Sequence, residues 1–425
     1  MEEIWKLSHL LVTLFLYTFA TMMIVPAITD VTMSALCPGQ DECSLAIYLT
    51  GFQHAVMGIG ALLMMPLLGN LSDKLGRKTL LTIPMILTVV PLGILGYGRS
   101  RNLFYVYFVL KCVTSIVCEG SVQCLAVAYA ADNVPEHRRA SAFGLLSAVG
   151  SSAFVCGTLC ARFLSISSTF QVAAFTAAVA VVYMKIFLAD SVAECIISAP
   201  LLSGENVESV SSDPVSLKKE QIITTLPSIK DLFALLNISL TFSLAAIVAF
   251  FGNLADVGLY ASLLTSNVLM NFNRVACLGQ SLLLMPILIP ALGENRLLSI
   301  GLFFNCIHML LYSFAWADWV VYVAPMFSTL FIFWRPCLQS IVSKQVGASE
   351  QGKAQGCISG ISSFAHVVSP LVFSPLTALF LSQNAPFYFP GFSIMCAGSI
   401  AMIAFVQSIM IRDPSKANSC SHVEA

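Results

Sequence analysis

Gly69-Asn70-Leu71-Ser72-Asp73-Lys74-Leu75-Gly76-Arg77-Lys78 is a short polar turn between two apolar runs, 45–68 and 79–98, each about as long as a bilayer crossing requires. Its residue types suit a tight connection at a membrane surface. Gly69 and Gly76 allow a sharp reversal and a close approach of helices. Asp73 can accept hydrogen bonds from the N-terminus of a neighbouring helix, whose partial positive charge favours an anion. Arg77 and Lys78 anchor the turn at the cytoplasmic interface, where basic residues beside spans are retained.

Outward from this turn the pattern repeats along the whole chain. Apolar segments fall at 7–29, 45–68, 79–98, 103–131, 141–164 and 169–189, then at 235–262, 271–291, 297–316, 318–342, 354–381 and 387–411. That is six, a break, and six. The 425 residues are 57% hydrophobic and 10% charged, with a mean hydropathy of +0.86, whereas soluble domains carry about 25% charged residues. The prediction is an all-α membrane protein of twelve transmembrane helices in two pseudo-symmetric six-helix bundles, 1–190 and 235–411. The polar stretch 191–234 reads as a cytoplasmic linker, too poor in apolar residues to order itself, and 412–425 as a cytoplasmic tail. The start, Met1-Glu2-Glu3-Ile4-Trp5-Lys6, lacks the basic region of a cleaved signal, so the first run is expected to be a retained span.

Sidedness follows from basic residues. With the N-terminus inside, fifteen of the twenty-one Lys and Arg fall on the cytoplasmic side, which places both termini and the linker there. Most of the fourteen cysteines, among them Cys112, Cys118, Cys124, Cys156 and Cys160, lie in apolar runs and read as packing residues. Cys37 and Cys43, in the first loop, either pair on an oxidising side or stay free thiols.

The halves echo each other. The 2–3 turn is matched by Ala291-Leu292-Gly293-Glu294-Asn295-Arg296, which keeps the Leu-Gly and loses the aspartate. The start of span 5, Arg139-Ala140-Ser141-Ala142-Phe143-Gly144, is matched before span 11 by Gln351-Gly352-Lys353-Ala354-Gln355-Gly356. Duplication is the expected origin, as in many carriers.

The set Gly69, Leu71, Asp73, Gly76, Arg77 and Lys78, placed between spans 2 and 3 on the basic side, resembles the signature loop of the major facilitator superfamily. A narrower resemblance is to the tetracycline/proton antiporters and their eukaryotic relatives, the hippocampus abundant transcript-like and plant tetracycline-transporter-like proteins. It rests on Ala128-Tyr129-Ala130-Ala131-Asp132 followed by Arg139 and Gly144, and on Glu350-Gln351-Gly352-Lys353-Ala354-Gln355-Gly356 leading to Ser369-Pro370. The resemblance implies alternating-access transport of a small organic solute, with proton-coupled antiport as one mode. It implies that the 69–78 turn and Asp132, Arg138 and Arg139 form a cytoplasmic latch for the outward-open state, with Gly69, Asp73, Gly76, Arg77, Lys78, Asp132 and Arg139 as gating residues. Two positions depart from the antiporters. The span 5 motif reads Gly157-Thr158-Leu159-Cys160-Ala161 here, and the span 1 aspartate nine before the proline is Tyr17 ahead of Pro26, so drug export and proton exchange do not carry over at these positions.

Charges within spans mark the candidate site, because a mid-span charge costs about 2.5–3.5 kcal/mol. Glu119 lies near the middle of 103–131 and Arg335 in span 10, its repeat counterpart; by the resemblance, spans 1, 4, 7 and 10 line the cavity. Glu119 is expected to be the protonatable coupling group and Arg335 a substrate-orienting or counter-charge group, the two facing each other or forming a static pair. Lys111, eight residues before Glu119, stands about 12 Å from it along the axis, too far to pair directly, and either serves the site or snorkels toward the outer interface. Asp256 follows Gly252-Asn253 and precedes Gly258, a pattern that suggests a locally loosened helix. His54 and His366 are candidate proton relays, or hydrogen-bonded packing residues. Phe331, Phe333 and Trp334 complete an expected cavity for a moderately polar molecule.

Other classes fit less well. There is no zinc-protease pattern, phosphate loop or Cys-x-x-Cys pair, so neither an enzyme nor a cofactor is expected, and no basic block calls for nucleic acid. Expected partners are a solute, protons and membrane lipid, with the chain acting as a monomer in a plasma, vacuolar or other internal membrane. A facilitated-diffusion uniporter and a non-transporting sensor or scaffold are the alternative functions.

Overall fold

The computed structural model describes residues 2–38, 44–189, 239–262, 285–314, 333–347, 350–381 and 391–411, with single positions between 320 and 331 and between 386 and 389. The expected linker, the tail and Cys43 lie outside them. Ten helices among the described residues are long and apolar enough to cross a membrane. Span 8 falls largely outside the described residues, and span 10 is described in part.

A chain in lipid must satisfy its backbone hydrogen bonds internally, so the described apolar runs close into helices. The first half comprises α1 (Glu2–Leu36), α2 (Ser44–Leu75), α3 (Arg77–Tyr97), α4 (Arg101–Cys118), α5 (Ser121–Asn133), α6 (Arg139–Phe163) and α7 (Ile166–Phe187). The second comprises α8 (Leu240–Ser262), α9 (Met285–Leu292), α10 (Glu294–Phe314), α11 (Trp334–Lys344), α12 (Gln351–Leu381) and α13 (Phe392–Met410). Large apolar side chains stay on the outside, Phe175 at 71% exposure among them. An outer surface of this kind needs lipid around it.

The halves repeat each other in packing as well as in sequence. α1 packs on α6 and α7, and α3 on α7; correspondingly α8 packs on α12 and α13, and α10 on α13. At the 2–3 turn α2 ends at Leu75, Gly76 takes a positive φ of 96°, and α3 begins at Arg77; the second copy runs α9, Gly293 at φ 80°, α10. Only glycine adopts such angles at little cost. Each copy fastens the first residue of its third span to the end of its fourth. Arg77 Nε donates to Asp132 Oδ2 at 2.8 Å, and Lys344 Nζ donates to Glu294 Oε1 at 2.8 Å. The polarity is reversed between the copies.

The halves meet through α2 against α12, α5 against α12, and α6 against α9 and α11. Gly352, Gly356 and Gly360, four apart on α12, lay its backbone against α2. A Cβ on Gly356 would stand 2.5 Å from the Met65 carbonyl oxygen, and one on Gly360 3.1 Å from that of Leu62. Small residues at such spacing allow helix backbones in a membrane to touch. At Gly352 a Cβ would collide with the Gly69 carbonyl and the Arg77 guanidinium. Gly352→Ala is therefore expected to cost the closed arrangement about 1–3 kcal/mol, the range for overpacking. Gly93→Ala, where a Cβ meets nothing within 4 Å, should leave a thermal unfolding curve unchanged or slightly raised, and equal curves for both variants would contradict the packing argument.

Cys37, just past α1, is disulfide-bonded. A maleimide should reach it only after reduction, and labelling without reductant would show the bond to be absent. Cys112, Cys118 and Cys124 are buried, as expected of packing residues, but Cys156 and Cys160 are exposed, one turn apart on α6. Their apolar neighbourhood in the sequence does not mark which face of α6 they occupy.

Candidate functional site

Span 4 is not one helix. α4 closes with the Glu119 N–H on the Ser115 carbonyl at 3.0 Å, and α5 opens with the Cys124 N–H on the Gly120 carbonyl at 2.9 Å. Between them Glu119 is extended and Gly120 takes a left-handed φ of 69°, a conformation that L side chains resist. The continuous helix expected over 103–131 is thus broken in two. An acidic residue beside glycine inside an apolar run was the sequence signal for it. Discontinuous spans are where membrane carriers expose backbone and side-chain polar groups to ligands.

The break opens into a cavity of about 960 Å³ formed by α1, α2, α3, α4 and α5, toward the upper end of the size of small-molecule sites. Its walls are apolar and aromatic, with Met22, Met57, Phe104, Tyr107 and Phe108. Lys111, Glu119, His54 and Gln123 supply polar groups. Tyr17 also lines it, its hydroxyl 3.1 Å from Thr88 Oγ1 on α3, so a neutral phenol occupies this wall. Among the described residues neither Lys111 nor Glu119 forms an ion pair or side-chain hydrogen bond. Their Cα atoms stand about 12 Å apart along the axis, and the structure pairs neither charge with the other.

Arg335 does not meet Glu119. It donates to Asn253 Oδ1 at 2.7 Å and lies 3.6 Å from Asp256 Oδ2. Asn305 donates to the other Asp256 oxygen at 3.4 Å, and Asn253 donates to Ser362 at 3.0 Å. The expected pairing across the cavity is corrected to a network within the second half, because Asp256 on α8 is the nearer acid to α11. The loosened helix expected around Gly252 and Gly258 is also corrected. α8 is continuous, and the two glycines make room for the rings of Trp334 and Phe373. Phe333 and Trp334 are core residues at 1% exposure, Phe331 is stacked on Trp334, and none of the three lines the cavity. His54 lines the cavity; His366 does not.

At the end of the molecule marked by the 69–78 turn, polar groups join the halves. Asp73 accepts from the backbone N–H groups of Gly352 and Lys353, both at 2.9 Å, in the first turn of α12. These donors have no partner within their own helix, and the helix dipole favours an anion there. Arg77, 2% exposed, binds Asp73, Asp132 and Ser72 together. Arg139 Nη1 donates to the Ser343 carbonyl at the end of α11, which also accepts from Gln351. Gly69 supplies the close approach and Gly76 the turn. Lys78 has no side-chain partner among the described residues.

Comparison with known proteins places this arrangement. The Major Facilitator Superfamily model matches residues 10–370. The chain belongs to this superfamily. Human hippocampus abundant transcript-like protein 1 is 24% identical over 389 residues, 87% of this chain and 74% of that protein. The class E tetracycline resistance protein of Escherichia coli is 22% identical over 321 residues, 73% of each. The crystal structure of the human organic anion transporter MFSD10 (TETRAN) superposes with a TM-score of 0.70 at 15% identity, covering 96% of this chain and all of that one. At that identity the likeness speaks for the fold. The facilitator fold, an integral multi-pass membrane location and membership of the superfamily are thereby established for this chain.

Proposed function

We propose that this protein is a secondary transporter that carries a small organic solute by alternating access and exchanges it for protons at Glu119. The observation that carries the reading is a carboxylate without a partner among the described residues, at a broken span, in a cavity whose other side is shut by the Asp73, Arg77 and Arg139 contacts. The basic-residue bias supports placing the shut side in the cytoplasm, which makes this the outward-facing state. Residues 1–190 and 235–411 act as the two rocking bodies and 191–234 as their tether. Gly69, Asp73, Gly76, Arg77, Asp132 and Arg139 then serve as the cytoplasmic gate. Arg335, held by Asp256 and Asn253, serves as the fixed charge of the second half, and His54 and Lys111 help to bind the solute.

Reconstitution into liposomes containing a pH-sensitive dye tests this. A pool of labelled metabolites added outside should drive proton movement in the direction opposite to uptake. Uptake without a dye response would favour the uniporter, a reading supported by the neutral Tyr17 on the cavity wall. No uptake of any pool member would favour a carrier-fold scaffold.

A further inference from the structure

Two features of the cavity limit what it can hold. Among the described residues its charged lining groups are one cation, Lys111, and one carboxylate, Glu119, and neither has a protein partner. They stand eight residues apart along span 4, about 12 Å at 1.5 Å per residue, with an apolar wall that includes Met22, Met57, Tyr107 and Phe108. The other intramembrane pair, Arg335 with Asp256, is already closed on itself.

While the cavity is open, water can solvate both charges. When it closes, water leaves, and each charge needs a partner that the described residues do not provide. A monopolar solute leaves one charge bare. We propose that the site takes a bipolar organic solute, with a cationic amine on Glu119, an anionic carboxylate or similar group on Lys111, and an apolar body between them. This rests on the transporter reading and refines it. The amine end and the exchanged proton then compete for the same carboxylate, which links solute release to proton binding.

Thermal unfolding of the purified full chain in detergent can read binding without flux. The probes are 8-aminooctanoate, whose flexible chain lets its ends stand up to about 10 Å apart at about 3.6 Å per three bonds, together with octanoate and octylamine. 8-Aminooctanoate is expected to bind at least tenfold more tightly than each of the others and to raise the unfolding temperature accordingly. Lys111→Met should erase its advantage over octylamine, and Glu119→Gln its advantage over octanoate. Equal binding of either monopolar probe by the unaltered protein would overturn the proposal without any variant. So would variants that keep the original preference.

The outcomes also separate this proposal from the reading beneath it. Selective binding without flux of labelled 8-aminooctanoate into proteoliposomes would refute the carrier and leave the bipolar site standing. Flux of other solutes with no bipolar preference would refute the site and leave the carrier.

Discussion

Glu119→Gln is expected to flatten the pH dependence of solute flux while leaving the protein folded. Glutamine preserves the size and hydrogen-bonding capacity of the side chain and removes only the titratable proton. Glu119 sits at the Glu119–Gly120 break, facing the cavity, with no ion-pair partner among the described residues, so its replacement leaves no opposite charge stranded. Unfolding temperature should therefore change little, in contrast to the cost of breaking a buried ion pair. Flux driven by a pH gradient should fall at least tenfold, and exchange of solute for solute without a gradient should survive. Unchanged proton-driven uptake by Glu119→Gln in proteoliposomes would remove the residue from the coupling role and the proposed mechanism with it.

Arg77→Ala should have the larger effect on conformation. Arg77 is the hub for Asp73, Asp132 and Ser72 at the shut end, and removing it leaves two carboxylates close together with no cation between them. Breaking a buried pair costs about 3–5 kcal/mol, which corresponds to about two to four orders of magnitude in the balance of two conformations. Cys124 offers a native reporter, since it is buried against Ala61 and Met65 beneath this gate. In a background that retains Cys124 alone, the unaltered gate should protect it from a permeant maleimide, and Arg77→Ala should expose it. Lys78→Gln is the matched control, because Lys78 has no partner there, and Arg77→Lys should restore only part of the protection, since an ammonium cannot fork between two acids. Equal protection in Arg77→Ala would show that the cluster does not hold the gate.

The spans were legible because lipid enforces long apolar helices, and the turn at 69–78 because its chemistry is local: a glycine at the reversal, another at a close helix approach, and an anion for a helix N-terminus. The anion met the N-terminus of α12, nearly three hundred residues further on, but what it needed there was any first turn of a helix. Glu119 and Lys111 stood out for a similar reason, as charges inside apolar runs. Pairing was not legible. Whether Arg335 reaches Glu119 or Asp256 depends on how α8 and α11 pack, and no local pattern encodes that. The aromatics 331, 333 and 334 misled because a ring against glycine and a ring against solute look alike in sequence; the holes left by Gly252 and Gly301 in neighbouring helices draw Trp334 inward. The ion pair of Glu294 with Lys344 was not legible either, because the second turn lacks the aspartate of the first and keeps the link with its signs exchanged.

That exchange makes the closure lopsided. With no aspartate in the second turn, one edge between the halves carries a carboxylate seated on a helix end, along α2 and α12, and the opposite edge, α6 against α11, is held by a guanidinium on a carbonyl. A carboxylate gripping two amides and a single N–H bond to a carbonyl yield to different loads. The molecule is built less like a clam with two equal lips than like a door, with a bolt on one side and a lighter hinge on the other.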